Sequence, residues 1–354
     1  KEDMKINSKK LLAGLKKLSG AINNPSTPIL ANVRIIAFDN KAQLMGTNLV
    51  QSIKVTIPCD VPLEFDTTIN YKKLTAICSQ LADHILSLTV KDDVASLKCN
   101  KSKFKLSCIS SNQWPDPNLL DNAVEIFFDN QVFSKEISNV FYAASKDESR
   151  PILNGVLIDA KSDSLRLVTT DGKRLAMSEV INVSQNNIKA VVPVNVLIDI
   201  AKNSYGDIKI TIDNSYISAE SGDYAIISKL IEGNYPDYSQ IMPDSFKSHV
   251  SINKYDLLNA VQRVSLILDN VTECVTLKFK DNSLTVSAHT QDSAVEKITI
   301  DFNGDIELNY NPVFLVDALK NSSGDFIELN YNDSTAPTQI TCENLEYLVM
   351  PMRG

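Results

Sequence analysis

The side chains able to do chemistry in this chain are few and scattered. Six cysteines (Cys59, Cys78, Cys99, Cys108, Cys274 and Cys342) and three histidines (His84, His249 and His289) occur in 354 residues. No two cysteines form a C-x-x-C pair, so neither a zinc ribbon nor a thioredoxin-type centre is expected; free thiols in a reducing cytoplasm are. No H-E-x-x-H, G-x-S-x-G, Walker-type loop or G-x-G-x-x-G occurs, and only 11 glycines are available to cradle phosphate. Asp92-Asp93 reads as a hairpin turn, since a Mg²⁺ site needs convergent carboxylates. No catalytic residue, metal site or cofactor is therefore expected, and the chain reads as a non-enzyme.

The chemistry on offer is cationic, and it recurs. Lys9, Lys10, Lys16 and Lys17 lie opposite Leu11, Leu12, Leu15 and Leu18 at helical spacing. Lys72, Lys135, Lys202, Arg263 and Lys320 stand on the outward faces of five further amphipathic stretches. The chain as a whole is acidic, with 35 Lys and Arg against 43 Asp and Glu and a net charge of −8. Read as a sum, that charge speaks against a nucleic-acid partner; what decides is where the cations sit.

The elements that position these cations form a repeat with a period of roughly 120 residues. Each third opens with a strand and a helix: Ser8 to about Ser19, capped by Ser8 and ended by Gly20; Asn130 to Ser145; Asn253 to Leu268. Two strands joined by a polar turn follow, at Val33–Phe38 with Gln43–Gly46, Gly155–Asp159 with Ser164–Thr169, and Val275–Phe279 with Ser283–Ala288. Asp39-Asn40, Lys161-Ser162-Asp163 and Asp281-Asn282 are the turns. A further strand, a second helix (Tyr71–Leu81, Asn195–Asn203, Asn311–Asn321) and more strands complete each third. Equivalent helices bring their cations to one surface, the footprint of a phosphate backbone. Linkers fall near 115–122 and 242–247, giving domains 1–122, 123–246 and 247–354. No run approaches the ~20 apolar residues of a membrane span. Met4 reads as the natural start, with no signal peptide before it.

The chain ends on Tyr347-Leu348-Val349-Met350-Pro351-Met352-Arg353-Gly354. Tyr347–Met350 matches Phe104–Cys108 and Tyr224–Ser228 as the last strand of a repeat. Pro351-Met352-Arg353 extends beyond it, and methionine suits an adaptable binding lip.

Five short motifs, in order, carry a resemblance: Pro28-Ile29-Leu30; Arg150-Pro151-Ile152-Leu153-Asn154-Gly155; Thr170-Asp171-Gly172-Lys173-Arg174-Leu175-Ala176; Gly233-Asn234-Tyr235-Pro236-Asp237-Tyr238; and Val349-Met350-Pro351-Met352-Arg353. Together they resemble the bacterial sliding-clamp family, the beta subunits of DNA polymerase III, from Met4 to Gly354. The resemblance implies an α+β fold of three similar domains (the DNA clamp fold), each with two helices on antiparallel sheets, closing a head-to-tail ring dimer. Such a ring encircles double-stranded DNA without reading its sequence and tethers the polymerase. The implied DNA contacts are Lys9, Lys10, Lys16, Lys17, Asn24, Lys72, Lys135, Lys146, Arg150, Lys202, Arg263 and Lys320. The resemblance also implies a cleft for linear motifs of the polymerase alpha subunit, the clamp loader and repair proteins, typically a Gln followed by apolar and aromatic residues. Its wall would be Leu153, Thr170, Gly172, Lys173, Arg174, Leu175, Pro243, Asn311, Phe314, Leu348, Met350, Pro351, Met352 and Arg353, with Arg174 and Arg353 framing it. The family commonly has His at Lys173, often Tyr at Phe314, and a basic residue near Asn24. A cytoplasmic protein with no membrane partner is implied. Two alternatives stay open: an enzyme on an αβ repeat, which turnover lost on a single carboxylate substitution would reveal, and a peptide-binding scaffold that never holds DNA.

Overall fold

A strand, a helix and three strands recur six times. The first half-unit comprises β1 (Met4–Asn7), α1 (Ser8–Lys17), β2 (Asn32–Phe38), β3 (Lys41–Thr47) and β4 (Gln51–Pro58). The second comprises β5 (Phe65–Asn70), α2 (Tyr71–Gln80), β6 (Ile85–Lys91), β7 (Val94–Cys99) and β8 (Ser102–Ile109). The middle pair runs β9 (Val124–Asp129), α3 (Asn130–Val140), β10 (Gly155–Ala160), β11 (Ser164–Thr170) and β12 (Arg174–Ile181), then β13 (Ile188–Pro193), α4 (Val194–Asn203), β14 (Asp207–Ile212), β15 (Tyr216–Ser221) and β16 (Tyr224–Lys229). The last pair runs β17 (Ser248–Asn253), α5 (Lys254–Val264), β18 (Val275–Lys280), β19 (Ser283–His289) and β20 (Ser293–Thr299), then β21 (Asp305–Tyr310), α6 (Pro312–Asn321), β22 (Phe326–Tyr331), β23 (Thr338–Cys342) and β24 (Leu345–Val349). This computed structural model describes residues 3–22, 27–81, 83–115, 120–161, 164–181, 187–270, 273–343 and 345–352. Among them no helix is long and apolar enough to cross a membrane.

Local chemistry explains the punctuation. Asp39-Asn40, Asp92-Asp93 and Asp281-Asn282 all take positive φ, between 43° and 58°. That suits the tight turns whose twist matches paired strands, and Asp and Asn tolerate it best after Gly. Helix starts use asparagine: Asn7, Asn70, Asn253 and Asn311 each accept from amides of the first turn. Asn7 thus takes the capping role expected of Ser8, which is instead the first helical residue and buried. Gly20 does not end α1, which stops at Lys17 and runs on as a 3-10 turn over Ser19–Ala21. A Cβ at Gly20 would lie 2.1 Å from Asp199 Oδ2, so any larger residue there would have to displace the Asp199 carboxylate. The longer helices expected to reach Ser145 and Leu268 end at Val140 and Val264, each followed by a 3-10 turn.

Contacts divide the chain into two compact units, 1–133 with 195–230 and 134–194 with 231–354. The first unit is built on a 12-stranded sheet, ordered β1-β6-β7-β8-β5-β2-β3-β4-β16-β15-β14-β9. The second holds an 8-stranded sheet, β13-β10-β11-β12-β24-β23-β22-β17, and a 4-stranded one, β20-β19-β18-β21. Leading strands are exchanged between sibling half-units: β1 pairs with β6, β5 with β2, β17 with β22, β21 with β18.

Closing strands follow another rule. β4 pairs with β16 and β12 with β24, so four of the six join neighbouring thirds. β8 and β20 have no such partner, and among the described residues the outer edges of Ser102–Ser107 and of β20 are unpaired.

Candidate binding groove and candidate nucleic-acid interface

The residues of the expected cleft gather in the second unit, where β12 meets β24. The strands are antiparallel and in register, Arg174 opposite Val349 and Leu175 opposite Leu348. Alternation sends Leu175 and Leu348 to one face, where they join Leu157, Val168, Met177, Val191 and Tyr238 in one buried cluster. Ile152, Ile231, Tyr235 and Met242 pack on it half-exposed. Beyond β24 the tail is held by its backbone: Met350 N–H donates to Lys173 O at 3.0 Å and Met352 N–H to Asn309 O at 2.7 Å. Met350 is 40 % exposed, and Pro351 and Met352 are half-buried. The result is an apolar floor with an adaptable apolar lip.

The turn before β12 sets this geometry. Asp171 Oδ1 accepts from the amides of Lys173 and Arg174 at 2.9 and 3.1 Å, and Gly172 takes φ +89°. Thr170 Oγ1 closes the loop by donating to Arg174 O at 2.6 Å.

Arg174 is not the rim cation expected of it. It is buried and donates to Asp171 at 3.0 Å, to Asp317 at 2.7 Å and to Tyr142 O at 2.7 Å. Its guanidinium also sits 4.4 Å from the centre of the Phe314 ring. Burial works against its charge, but the neighbouring Tyr347 phenol, the hydrogen bond to Asp317 and the nearby Asp171 carboxylate more than reverse this and raise its proton affinity. Burial pushes the Tyr142 and Tyr347 phenols up, and Tyr347 donates to Phe314 O at 3.1 Å. Arg174 therefore braces α6 against β12 from below the floor.

Among the other expected groove residues, Thr170, Leu175 and Leu348 are buried and Lys173 is exposed. Leu153 is buried outside the cluster named above. Pro243 is half-buried, and its neighbour Met242 is the side chain that reaches the cluster. Asn311 caps α6 and lines a separate cavity of about 530 Å³ with Leu266, Leu268 and Val313. Arg353 lies outside the described residues. Ile152, Met242, Tyr235 and Tyr238 belong to or pack on the same apolar cluster and are not among the expected wall residues. The signal for three of them was present, in the Pro-Ile-Leu and Asn-Tyr-Pro-Asp-Tyr motifs.

The expected DNA-contact cations differ from one another in the structure. In the first unit α1 and α2 pack side by side, with Lys9, Lys10, Lys16 and Lys72 exposed. Lys73 is exposed beside them and was not expected. Lys17 is half-buried, 3.1 Å from Asp223 and near the rings of Tyr205 and Tyr224. Lys202 is exposed on α4. In the second unit Lys135 pairs with Glu343 at 2.7 Å, Arg150 with Asp147 at 3.5 Å, and Arg263 with Glu296 through two hydrogen bonds. Lys146 and Lys320 are exposed. Asn24 lies outside the described residues. No cluster of His, Cys, Asp and Glu able to hold a metal occurs among the described residues.

Comparison with known proteins supplies a frame. Family models of the DNA polymerase III beta subunit match in three pieces: the N-terminal domain over residues 3–120, the central domain over 128–237 and the C-terminal domain over 239–353. A beta sliding clamp of Pseudomonas putida is 26% identical over 363 residues, covering 98% of this chain and 99% of the relative. That of Escherichia coli K12 is 26% identical over 356 residues, covering 97% of each. Among solved structures, a sliding clamp of Pseudomonas aeruginosa bound to griselimycin superposes with a TM-score of 0.95 at 24% identity, over the whole of both chains.

Proposed function

The chain belongs to the DNA polymerase III beta subunit family, the sliding clamps of replication, and from that premise we propose how it works: two copies close head to tail into a ring that encircles duplex DNA and tethers the polymerase. It is a processivity factor, with no catalysis of its own. The three domains are taken as 1–122, 123–246 and 247–354, and the setting as cytoplasmic.

The observation that carries the ring is the pair of open closing strands. Since β4 with β16 and β12 with β24 join one third to the next, the same junction between β8 of one copy and β20 of another would complete the set. Open strand edges are a liability unless covered. Both are more exposed than their paired counterparts, with Val295 of β20 54 % exposed. The charges suit a head-to-tail match. Lys98 and Lys103 face each other across β7 and β8, with exposed Lys101 and Lys105 alongside, an arrangement that repels unless an anion approaches. Exposed Asp292 and Asp301 bracket β20. A pair of such interfaces related by a two-fold axis closes a dimer and covers both of these edges.

Within the ring we place the helices toward the hole, so that lysines meet phosphate while the acidic excess faces out. Lysine suits sliding, because a flexible point charge fixes no register and reads no base. The groove between β12 and β24 would take the linear motifs of the polymerase alpha subunit, clamp loader and repair proteins: apolar and aromatic side chains on Leu175, Leu348 and Met350, polar ones at Lys173. Mass in solution tests the ring. At micromolar concentration the chain of 39.1 kDa should run at about twice that mass, and rising salt should shift it toward monomer as the lysine and aspartate edges are screened. A monomer at low salt would defeat the ring.

A further inference from the structure

We infer that this clamp grips DNA unevenly: the lysine pairs that open α1 and α2 carry most of its phosphate contact, and the helices of the last third add little. The inference rests on the clamp reading above and concerns how the contact is shared within one chain.

The two helices of the first third begin alike. An asparagine cap is followed by one residue and then two lysines, Asn7-Ser8-Lys9-Lys10 and Asn70-Tyr71-Lys72-Lys73. All four lysines are exposed, and none is in an ion pair among the described residues. Lys16, two turns along the face from Lys9, is equally exposed. Neither helix has an acidic residue in its first turn. The positive end of a helix favours Asp and Glu, so four lysines there oppose helix stability and repel one another. A local conflict of this kind is resolved if an external polyanion lies across both helices, which pack side by side.

The other helices lack the feature. Their second and third positions hold Gln131-Val132, Asn195-Val196, Tyr255-Asp256 and Val313-Phe314. In α5, Lys254 is buried and donates to Ser322 O at 2.9 Å, and Arg263 is tied to Glu296. On α6 the one cation, Lys320, is exposed and in no ion pair among the described residues. The thirds differ in the same sense: residues 1–122 hold 16 Lys and Arg against 11 Asp and Glu, and residues 247–354 hold 8 against 15.

Two full-length variants with equal loss of charge test this: Lys9, Lys10, Lys72 and Lys73 all changed to Gln, and Lys135, Lys202, Arg263 and Lys320 all changed to Gln. Binding to a fluorescent duplex is titrated across KCl concentrations, with dimer mass checked for each. Each lost phosphate contact lowers the slope of log K against log salt by about 0.9. The first variant should lose about three such steps per chain and bind at least tenfold more weakly at ~0.1 M salt; the second should lose about one. Equal losses, or a larger loss in the second, would overturn the uneven grip while leaving the clamp intact. A native protein that neither binds with a salt slope nor stays on closed circular DNA would instead remove the clamp reading, and this inference with it.

Discussion

An Arg174→Ala variant should unfold about 10 °C below the native protein. Removing the guanidinium leaves Asp171 and Asp317 facing a space with no cation, and strips Tyr142 O of its donor and the Phe314 ring of its charge. Breaking one side of a buried pair costs roughly 3–5 kcal/mol, because the partner stays desolvated. The Asp317 side chain is 31% exposed, so water recovers part of this and the lower end applies. Arg174→Lys should recover only a fraction, since an ammonium cannot reach three acceptors in one plane. Calorimetry of the two variants checks both statements; an unchanged melting temperature in Arg174→Ala would mean that the network does not brace α6.

Deleting Met350–Gly354 should have the opposite profile, with stability and ring mass retained and peptide binding lost. β24 ends at Val349, so the ladder to β12 survives; the bonds of Met350 N–H to Lys173 O and Met352 N–H to Asn309 O are lost. Full burial of an apolar side chain stabilises by about 1.5–3 kcal/mol. Losing two methionines from the lip should therefore weaken a peptide of the Gln-then-aromatic type by at least tenfold, which is about 1.4 kcal/mol. Titration of a labelled peptide reads this directly, and undiminished affinity would defeat the assignment of the tail to the groove.

The fold was legible in the sequence where its signals are local. Turns at positive φ such as Asp39-Asn40 and Asp281-Asn282, and alternating apolar strands, follow from neighbours within a few residues; the cap of α1 was misplaced by one residue, on Ser8 instead of Asn7. Leu175 and Leu348 could be expected together because the Thr170–Ala176 and Val349–Arg353 motifs were both visible. The state of the charged side chains could not be read the same way. Arg174 reads as exposed until Asp317, 143 residues on, is brought beneath it. Lys17 and Lys135 look like free helix cations, but Asp223 and Glu343 lie 206 and 208 residues away in sequence. A helical wheel shows which way a lysine points and says nothing of what folds up against it. Lys9, Lys10, Lys72 and Lys73, which open α1 and α2, are exposed and stand in no ion pair among the described residues, although Asp83 reaches the cap of α1 and accepts from Asn7 Nδ2 at 2.6 Å.

Encirclement of DNA is tested most directly by release on cutting. The clamp is loaded by a clamp loader onto nicked circular DNA, separated from free protein, and the circle is then cut once. A ring held by topology should stay on the closed circle through a wash at moderate salt and leave after the cut, as it slides off the ends. Protein that remains on the linear product would be bound by contact alone, and would contradict the ring.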